Sequence, residues 1–146
     1  MTVIAVTKER RGGETRVAAT PETVKKLIGA GFSVVVEAGS GTAASYPDAD
    51  YEAAGASIAK SVQDAVGGAD ILFKVRAPVD EEIAALKAGA IVAATLNPYV
   101  EKDALKALAD KGATAFAMEF VPRITRAQVM DVLSSQANLA GYRAVI

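Results

Sequence analysis

The stretch TPETVKKLIGAGFSVVV, residues 20–36, contains a helix start, a helix end and a strand in direct succession. Thr20 is a favourable N-cap, and Pro21 suits the first position of a helix because its ring already holds a helical φ. Gly31 stands where a helix-ending glycine belongs. The stretch therefore predicts a helix from Pro21 to Ala30 and then a buried strand over Ser33–Val36.

The same alternation of apolar strands and helices runs along the rest of the chain. Further strands are predicted at Val3–Val6, Ile71–Lys74, Ala90–Ala94 and Ala113–Ala117. Further helices are predicted at Ser61–Val66, Asp80–Leu86, Lys102–Asp110 and Arg126–Ala144. Continuously apolar strands that alternate with helices are typical of a parallel sheet covered on both faces. We expect a three-layer α/β domain, Rossmann-like or flavodoxin-like, with a mainly parallel sheet.

Composition narrows the classes of function. The chain has 146 residues, 51% of them hydrophobic, which is enough for the core of one domain. Its 16 basic and 17 acidic residues leave a net charge of −1, which argues against a nucleic acid partner. Cysteine and histidine are absent, so thiolate chemistry is excluded and we expect no metal site. No leader or membrane-spanning run is present, and we expect a soluble, cytoplasmic chain.

The last helical pattern differs from the others at both ends. Thr125 and Gln128 fit a capping box at its start. At its other end the pattern continues to Ile146 without a glycine, asparagine or proline to stop it. We expect residues 1–125 to form the α/β domain. Residues 126–146 would then be the truncated start of an interdomain helix that leads to a second domain.

The loop Gly39–Ala44 spells G-x-G-x-x-A after a strand, a variant of the dinucleotide fingerprint. A true fingerprint needs a helix that begins within the loop, whereas residues 45–48, Ser-Tyr-Pro-Asp, are typical of a turn. It also needs an acidic residue at the end of a following strand, and residues 58–60 contain none. We therefore predict a structural loop.

Two cations follow strands at the edge of the sheet where open α/β folds bind ligands. Arg16 ends a charged loop that leaves the first strand, and Lys74 ends the strand over Ile71–Lys74. A charged loop is more often simply solvated, and a lysine at a strand end can extend to water. From the residues alone, both interpretations remain open.

The segment from Met118 to Tyr142 has a second polar pattern. On a helix, Gln128, Asp131 and Ser135 would lie along one face at i, i+3 and i+7. Apolar residues would line another face, so an ordinary amphipathic helix is the favoured interpretation of the residues alone.

Two motifs resemble the N-terminal domain shared by nicotinamide nucleotide transhydrogenase alpha subunits and alanine dehydrogenases. The first is Lys8-Glu9, a charged spacer, Arg16-Val-Ala and then Thr20-Pro21 before a helix, although that family usually has proline where Thr7 stands. The second is Pro122-Arg-Ile-Thr-Arg-Ala-Gln, Asp131 and Leu-Ser-Ser, which resembles the transhydrogenase run. The resemblance extends over essentially the whole chain.

The resemblance implies a role for four residues of the second motif. Arg123, Gln128 and Asp131 match residues that surround the nicotinamide of NAD(H), and Ser134 matches one close by. Arg16 and Lys74 match the residues that hold the 2-oxo acid in alanine dehydrogenases, so they imply a vestigial substrate site. Those enzymes also have a histidine after the next strand, where this chain has Leu96-Asn97-Pro98.

The implied activity is direct hydride transfer from NADH to NADP⁺, coupled to proton translocation. This chain would be the outer half of the NAD(H)-binding component, inactive by itself. NADP(H) would bind a partner domain, and the full subunit would form a homodimer, peripheral on the inner face of the membrane through its membrane-domain partners. The alternatives are the N-terminal domain of an alanine dehydrogenase, that of a saccharopine-type dehydrogenase, and a non-catalytic orphan binding domain.

Overall fold

The computed structural model describes residues 1–145; Ile146, the end of the predicted interdomain helix, lies outside the described residues. The strands are β1 (Val3–Val6), β2 (Ser33–Glu37), β3 (Ser57–Ala59), β4 (Ile71–Arg76), β5 (Ile91–Thr95) and β6 (Thr114–Ala117). The α-helices are α1 (Pro21–Gly29), α2 (Asp48–Ala53), α3 (Val62–Val66), α4 (Asp80–Ala85), α5 (Lys102–Asp110) and α6 (Val132–Val145). Short 3₁₀ helices occupy Thr42–Ala44, Met118–Phe120 and Thr125–Met130.

All six strands form one parallel sheet in the order β3-β2-β1-β4-β5-β6. The central strand β1 pairs with β2 on one side and β4 on the other, with Ile4 opposite both Val34 and Ile71. Strand order therefore reverses direction beside β1. In open α/β sheets the crevice outside the carboxyl ends of the strands at such a reversal is where ligands bind.

Apolar side chains fill the space on both faces of the sheet. Ala5, Leu72 and Val92 belong to the cluster on the side of α3, α4 and α5. Val6 and Val36 belong to the other cluster, with α1 and α2. Side chains alternate between faces along a strand, so two buried faces require continuously apolar strands. The predicted three-layer fold with a mainly parallel sheet is confirmed.

Two short elements were not predicted. Strand β3 has only three residues, Ser57–Ala59, and α2 follows Pro47, where the sequence indicates a turn. Tyr51 on α2 is fully buried, and its hydroxyl donates to the Ala19 carbonyl at 2.9 Å. Tertiary packing of this one tyrosine outweighs the local turn signal.

The loop over Gly39–Ala44 lacks the helix start that a dinucleotide fingerprint needs, as predicted. It closes in a 3₁₀ turn and not in a long helix, and α2 begins only at Asp48. A Cβ at Gly41 would lie 2.6 Å from both the Tyr46 carbonyl oxygen and Cε2 of Tyr51. The glycine is therefore required for close packing against these tyrosines.

The predicted helix over Arg126–Ala144 and its capping box are wrong at the N-terminal end. Thr125 lies inside a 3₁₀ helix and its side chain caps nothing, while α6 begins at Val132. The backbone is extended at Asp131, with φ −74° and ψ 98°. Aspartate is among the best N-caps, so it starts a new helix here and ends the previous one. Within residues 1–145, no helix is both long and apolar enough to cross a membrane.

Candidate functional site

The segment between β6 and α6, together with the first turn of α6, borders an open cavity of about 290 Å³. Its lining comprises Arg123, Ile124, Thr125, Gln128, Asp131 and Ser134. The structure thus brings together all four residues that the second motif singled out. They lie in or beside a 3₁₀ helix and the N-terminus of α6, and the one continuous helix that was predicted does not form. Three of the predicted residues, Arg123, Gln128 and Ser134, are exposed, as residues that receive a ligand need to be.

Asp131 is the centre of this group. Its Oδ1 accepts the backbone N–H groups of Leu133 at 3.0 Å and Ser134 at 3.1 Å, which caps α6. Its Oδ2 accepts the Ser134 hydroxyl at 2.6 Å and Nε of Arg123 at 3.4 Å. The Ser134 hydroxyl and N–H, then the Leu133 N–H and the Arg123 charge, lower the pKa of Asp131 to about 2. Its carboxylate is therefore a fixed negative charge.

Gln128 has a different character. It lies on the 3₁₀ helix, exposed, and its side-chain amide makes no hydrogen bond within residues 1–145. An amide offers both a donor and an acceptor. Together with the Arg123 guanidinium and the Asp131 carboxylate it can orient a planar polar group, but none of these three groups is a proton carrier near neutral pH.

Arg16 and Lys74 line a second cavity of about 230 Å³, on the other side of α6. The Lys74 ammonium does not extend to water: its side chain is 1% exposed and lies 3.0 Å from Oε1 of Glu82 and 3.4 Å from Oε2 of Glu9. It also donates to the Lys8 carbonyl at 2.8 Å. Both expected residues share a cavity, but the lysine is neutralised by carboxylates of the chain itself.

Sequence reasoning missed the buried cluster around Glu82. This carboxylate is fully buried and accepts the Thr7 hydroxyl at 2.5 Å, Nη1 of Arg10 at 3.2 Å and the Val79 N–H at 2.9 Å. The available signal was Thr7, because a hydroxyl at the end of a buried strand needs an acceptor.

Arg10 links the cluster to the end of β2. It forms a two-pronged pair with Glu37, with Nη2 to Oε1 at 2.5 Å and Nη1 to Oε2 at 3.0 Å. Burial opposes ionisation of Glu37, but this pair and the Lys8 N–H outweigh it, and the pKa of Glu37 is lowered. The charged loop after β1 is thus anchored in the fold, and its interpretation as a merely solvated loop is wrong.

Arg16 is held from both sides. Its Nε and Nη2 each donate to a Glu14 carboxylate oxygen at 2.7 Å, and this pairing lowers the pKa of Glu14 to about 2. Its remaining nitrogen, Nη1, donates to Oε1 of Gln136 on α6 at 3.1 Å. No group of three or more acidic side chains within residues 1–145 is arranged to hold a metal ion.

Comparison with known proteins identifies the family. The sequence profile described as "Alanine dehydrogenase/PNT, N-terminal domain" matches residues 5–140. The chain belongs to this family. The assignment confirms the resemblance seen in the two sequence motifs, and it accounts for the α/β fold of this alanine dehydrogenase/PNT N-terminal domain.

Within the alanine dehydrogenase/PNT family, the chain is more similar to transhydrogenase alpha subunits than to the alanine dehydrogenases compared with it. It is 50% identical over 148 residues to the first part of NAD(P) transhydrogenase subunit alpha of Rhodospirillum rubrum, covering 98% of the chain and 38% of that protein. The crystal structure of transhydrogenase from Sinorhizobium meliloti superposes with a TM-score of 0.93 at 51% identity, covering 98% of the chain and 42% of that structure. Alanine dehydrogenase of Halomonas elongata is 37% identical, covering 97% of the chain and 38% of that protein. The chain therefore spans about two fifths of these relatives' length.

Proposed function

We propose that this domain is the outer half of the NAD(H)-binding component of a proton-translocating NAD(P)⁺ transhydrogenase. It would place the nicotinamide of NADH for direct hydride transfer to NADP⁺ on a partner domain. One observation carries the proposal: Arg123, Gln128, Asp131 and Ser134 converge on a single cavity. The similarity to transhydrogenase alpha subunits over 98% of the chain supports it.

The chemistry of the donor set fits a nicotinamide. The carboxamide of that ring has one acceptor oxygen and an amino group that donates, and the cavity offers a guanidinium, an amide and a carboxylate as counterparts. When bound, the cofactor itself carries the hydride. The side chains of this chain then have to orient the ring, and proximity of two correctly oriented rings supplies several kcal/mol of the barrier reduction.

Fixed charges suit this role better than titrating groups do. Hydride exchange between two nicotinamides removes no proton from a substrate, so no general base is required. The chain contains no histidine, and the Asp131 carboxylate stays ionised well below neutral pH. The cavity can therefore hold the ring in the same electrostatic environment across the physiological pH range.

The domain organisation and partners belong to the same proposal. Helix α6, which begins at Val132, would lead to a second domain, and that domain would hold the adenosine half of NAD(H). NADP(H) and membrane domains would belong to partners, the full subunit would be a homodimer, and the assembly would lie on the cytoplasmic face of the membrane. The Rhodospirillum relative is named as one part of subunit alpha, which supports a place in a larger complex.

Half-molecules of the cofactor test the proposal directly. We would titrate the isotope-labelled chain with reduced nicotinamide mononucleotide and, separately, with ADP-ribose, and follow backbone amide shifts by NMR. The nicotinamide half should shift amides of residues 123–135, and Arg123→Ala should abolish those shifts. ADP-ribose should shift none of them. Shifts caused by ADP-ribose alone, or no response to either compound at millimolar concentration, would overturn the proposed site.

A further inference from the structure

Helix α6 is nearly independent of the body of the domain. None of its side chains over Val132–Val145 is buried, so apolar packing does little to fix its direction. Within residues 1–145, one side-chain hydrogen bond joins α6 to the α/β body: Nη1 of Arg16 donates to Oε1 of Gln136. The start of α6 is also held by the Asp131 cap and by the turn at Met118–Phe120, and the Arg16–Gln136 contact adds a link beyond the first turn of the helix.

Arg16 is itself rigidly held. The Glu14 carboxylate accepts Nε and Nη2 of Arg16 at 2.7 Å each, and it also accepts the Arg16 backbone N–H at 3.0 Å. The Glu14 side chain is 7% exposed. A planar guanidinium bound along one edge has its remaining nitrogen pointing in a fixed direction. That nitrogen is the one that reaches Gln136.

The loop that bears Arg16 is anchored in turn to the ends of neighbouring strands. Glu9 accepts the backbone N–H groups of Val75 at 2.7 Å and Arg76 at 3.3 Å, the last two residues of β4. Arg10 is paired with Glu37 at the end of β2. Charge-assisted hydrogen bonds thus tie the first part of the loop, Glu9 and Arg10, to the sheet, and a second group ties Arg16 to Glu14 and to α6.

The two sides of α6 have different surroundings. Ser134 lines the cavity that contains Arg123 and Gln128, whereas Gln136 lines the cavity that contains Arg16. Residues two positions apart on an α-helix point about 200° apart around its axis. A contact at Gln136 therefore restrains the rotation of α6 and, with it, the direction in which the opposite side presents Ser134.

We propose that Arg16 is a positioning residue which, through Gln136, holds the first turns of α6 so that Asp131 and Ser134 face the nicotinamide. This inference rests on the proposed function. It differs from a role in which Arg16 binds an anionic substrate group directly. The two roles predict opposite effects of a carboxylate at position 136. It would strengthen the contact between Arg16 and α6, but it would neutralise Arg16 as a binding site for an anion.

The test uses the complete transhydrogenase with four variants: Arg16→Lys, Gln136→Leu, Gln136→Glu and the double variant Arg16→Lys/Gln136→Leu. Lysine at position 16 keeps the positive charge but lacks the several N–H donors of the guanidinium. Leucine at position 136 removes the hydrogen-bond acceptor without changing the charge. Single-turnover hydride transfer, NADH affinity and hydrogen exchange of amides 133–138 would be measured. Lys26→Gln serves as control, because Lys26 lies on α1 in an exposed pair with Glu22, away from both cavities.

Arg16→Lys and Gln136→Leu should each slow hydride transfer at least five-fold and speed exchange of the α6 amides, with NADH affinity changed less than two-fold. The double variant should be no slower than the slower single variant, and Gln136→Glu should retain the rate of the unmodified protein. A loss in Arg16→Lys without one in Gln136→Leu, or a loss in Gln136→Glu, would overturn the inference. If the unmodified protein transfers no hydride, the proposed function fails, and hydrogen exchange alone decides the tether: faster exchange in both single variants supports it, and unchanged exchange refutes it.

Discussion

Nζ of Lys74 lies 3.0 Å from Oε1 of Glu82, with both side chains at or below 1% exposure. Removal of Lys74 leaves two buried carboxylates, Glu9 and Glu82, with one fewer cation to compensate them, although Arg10 still pairs with Glu82. We expect Lys74→Met to lower the free energy of unfolding by about 3–5 kcal/mol, measured by urea denaturation. Lys111→Met, at an exposed lysine that donates to a carbonyl, should cost about 0.5 kcal/mol or less.

The double variant Lys74→Met/Glu82→Gln separates charge from packing. It also replaces the Glu82 carboxylate, which has lost Lys74 and retains Arg10, by a neutral amide, so some of the lost stability should return. If the double variant is less stable than Lys74→Met, then the hydrogen bonds of Glu82 with Thr7 and Arg10 outweigh the ion pair.

A second prediction concerns low pH. The pKa values of Glu14 and Asp131 are both lowered to about 2 in the folded chain. Such groups stabilise the fold fully above their unfolded pKa of about 4, and this contribution is lost as the pH falls through about 2. Carboxyl NMR titration should therefore find both midpoints near 2. Ser134→Ala should raise the midpoint of Asp131 and leave that of Glu14 unchanged; a midpoint near 4 for Asp131 in the unmodified chain contradicts the structure.

A third prediction concerns Gln128, whose predicted role in a capping box the structure does not show. Gln128→Asn retracts the amide by one methylene and keeps its chemistry. If the protein accelerates the reaction by positioning the nicotinamide ring, hydride transfer in the complete enzyme should slow ten-fold or more. This corresponds to an increase of about 1.4 kcal/mol in the activation barrier. NADH affinity and melting temperature should barely change.

The matched control for that variant is Gln63→Asn on α3, an exposed glutamine that donates to Glu81. It makes the same chemical change outside the cavity and should leave the rate unaltered. An unchanged rate in Gln128→Asn itself would remove Gln128 from the site.

A fourth prediction separates the glycine-rich loop from cofactor binding. Gly41→Ala places a methyl group 2.6 Å from the Tyr46 carbonyl oxygen, so it should destabilise the fold by about 1–3 kcal/mol. Gly12→Ala meets no atom within 4 Å and should have little effect. The response to reduced nicotinamide mononucleotide should be the same in both folded variants, and a selective loss in Gly41→Ala would make this loop a phosphate site after all.

A fifth prediction concerns the alanine dehydrogenase alternative. The chain has Leu96-Asn97-Pro98 after β5, where the resemblance to alanine dehydrogenases implies a histidine, and Lys74 is already paired with Glu82. The complete subunit should therefore form no pyruvate or ammonia from alanine and NAD⁺. Product above the background of an enzyme-free control would favour that alternative.

Local rules were sufficient for the elements with clear boundaries. Thr20 and Pro21 predicted the start of α1, and the Thr20 hydroxyl does accept the Thr23 N–H at 3.3 Å. The same rules failed at Thr125, because the side chain of Asp131 captured the backbone N–H groups that an uninterrupted helix would have used internally.

The buried cluster could not be predicted by such rules. Glu82 and Thr7 are 75 positions apart in the sequence, and only the meeting of β1 with the start of α4 brings them together. The four residues of the proposed nicotinamide cavity were identified by the resemblance of their motif to the transhydrogenase sequence. Their periodicity alone suggested a different helix.

The 3₁₀ geometry between β6 and α6 has a consequence for how the site tolerates change. Residues three apart eclipse one another in a 3₁₀ helix, so Gln128 lies on the same side as Thr125, three residues before the extended Asp131. In an α-helix each such step would drift by about 60°. Insertion or deletion of a single residue within 125–131 would rotate the donors by a third of a turn relative to the Asp131 cap, whereas point substitutions leave this phase intact. We therefore expect a one-residue insertion within 125–130 to impair the site more than a substitution at an outward residue such as Val129.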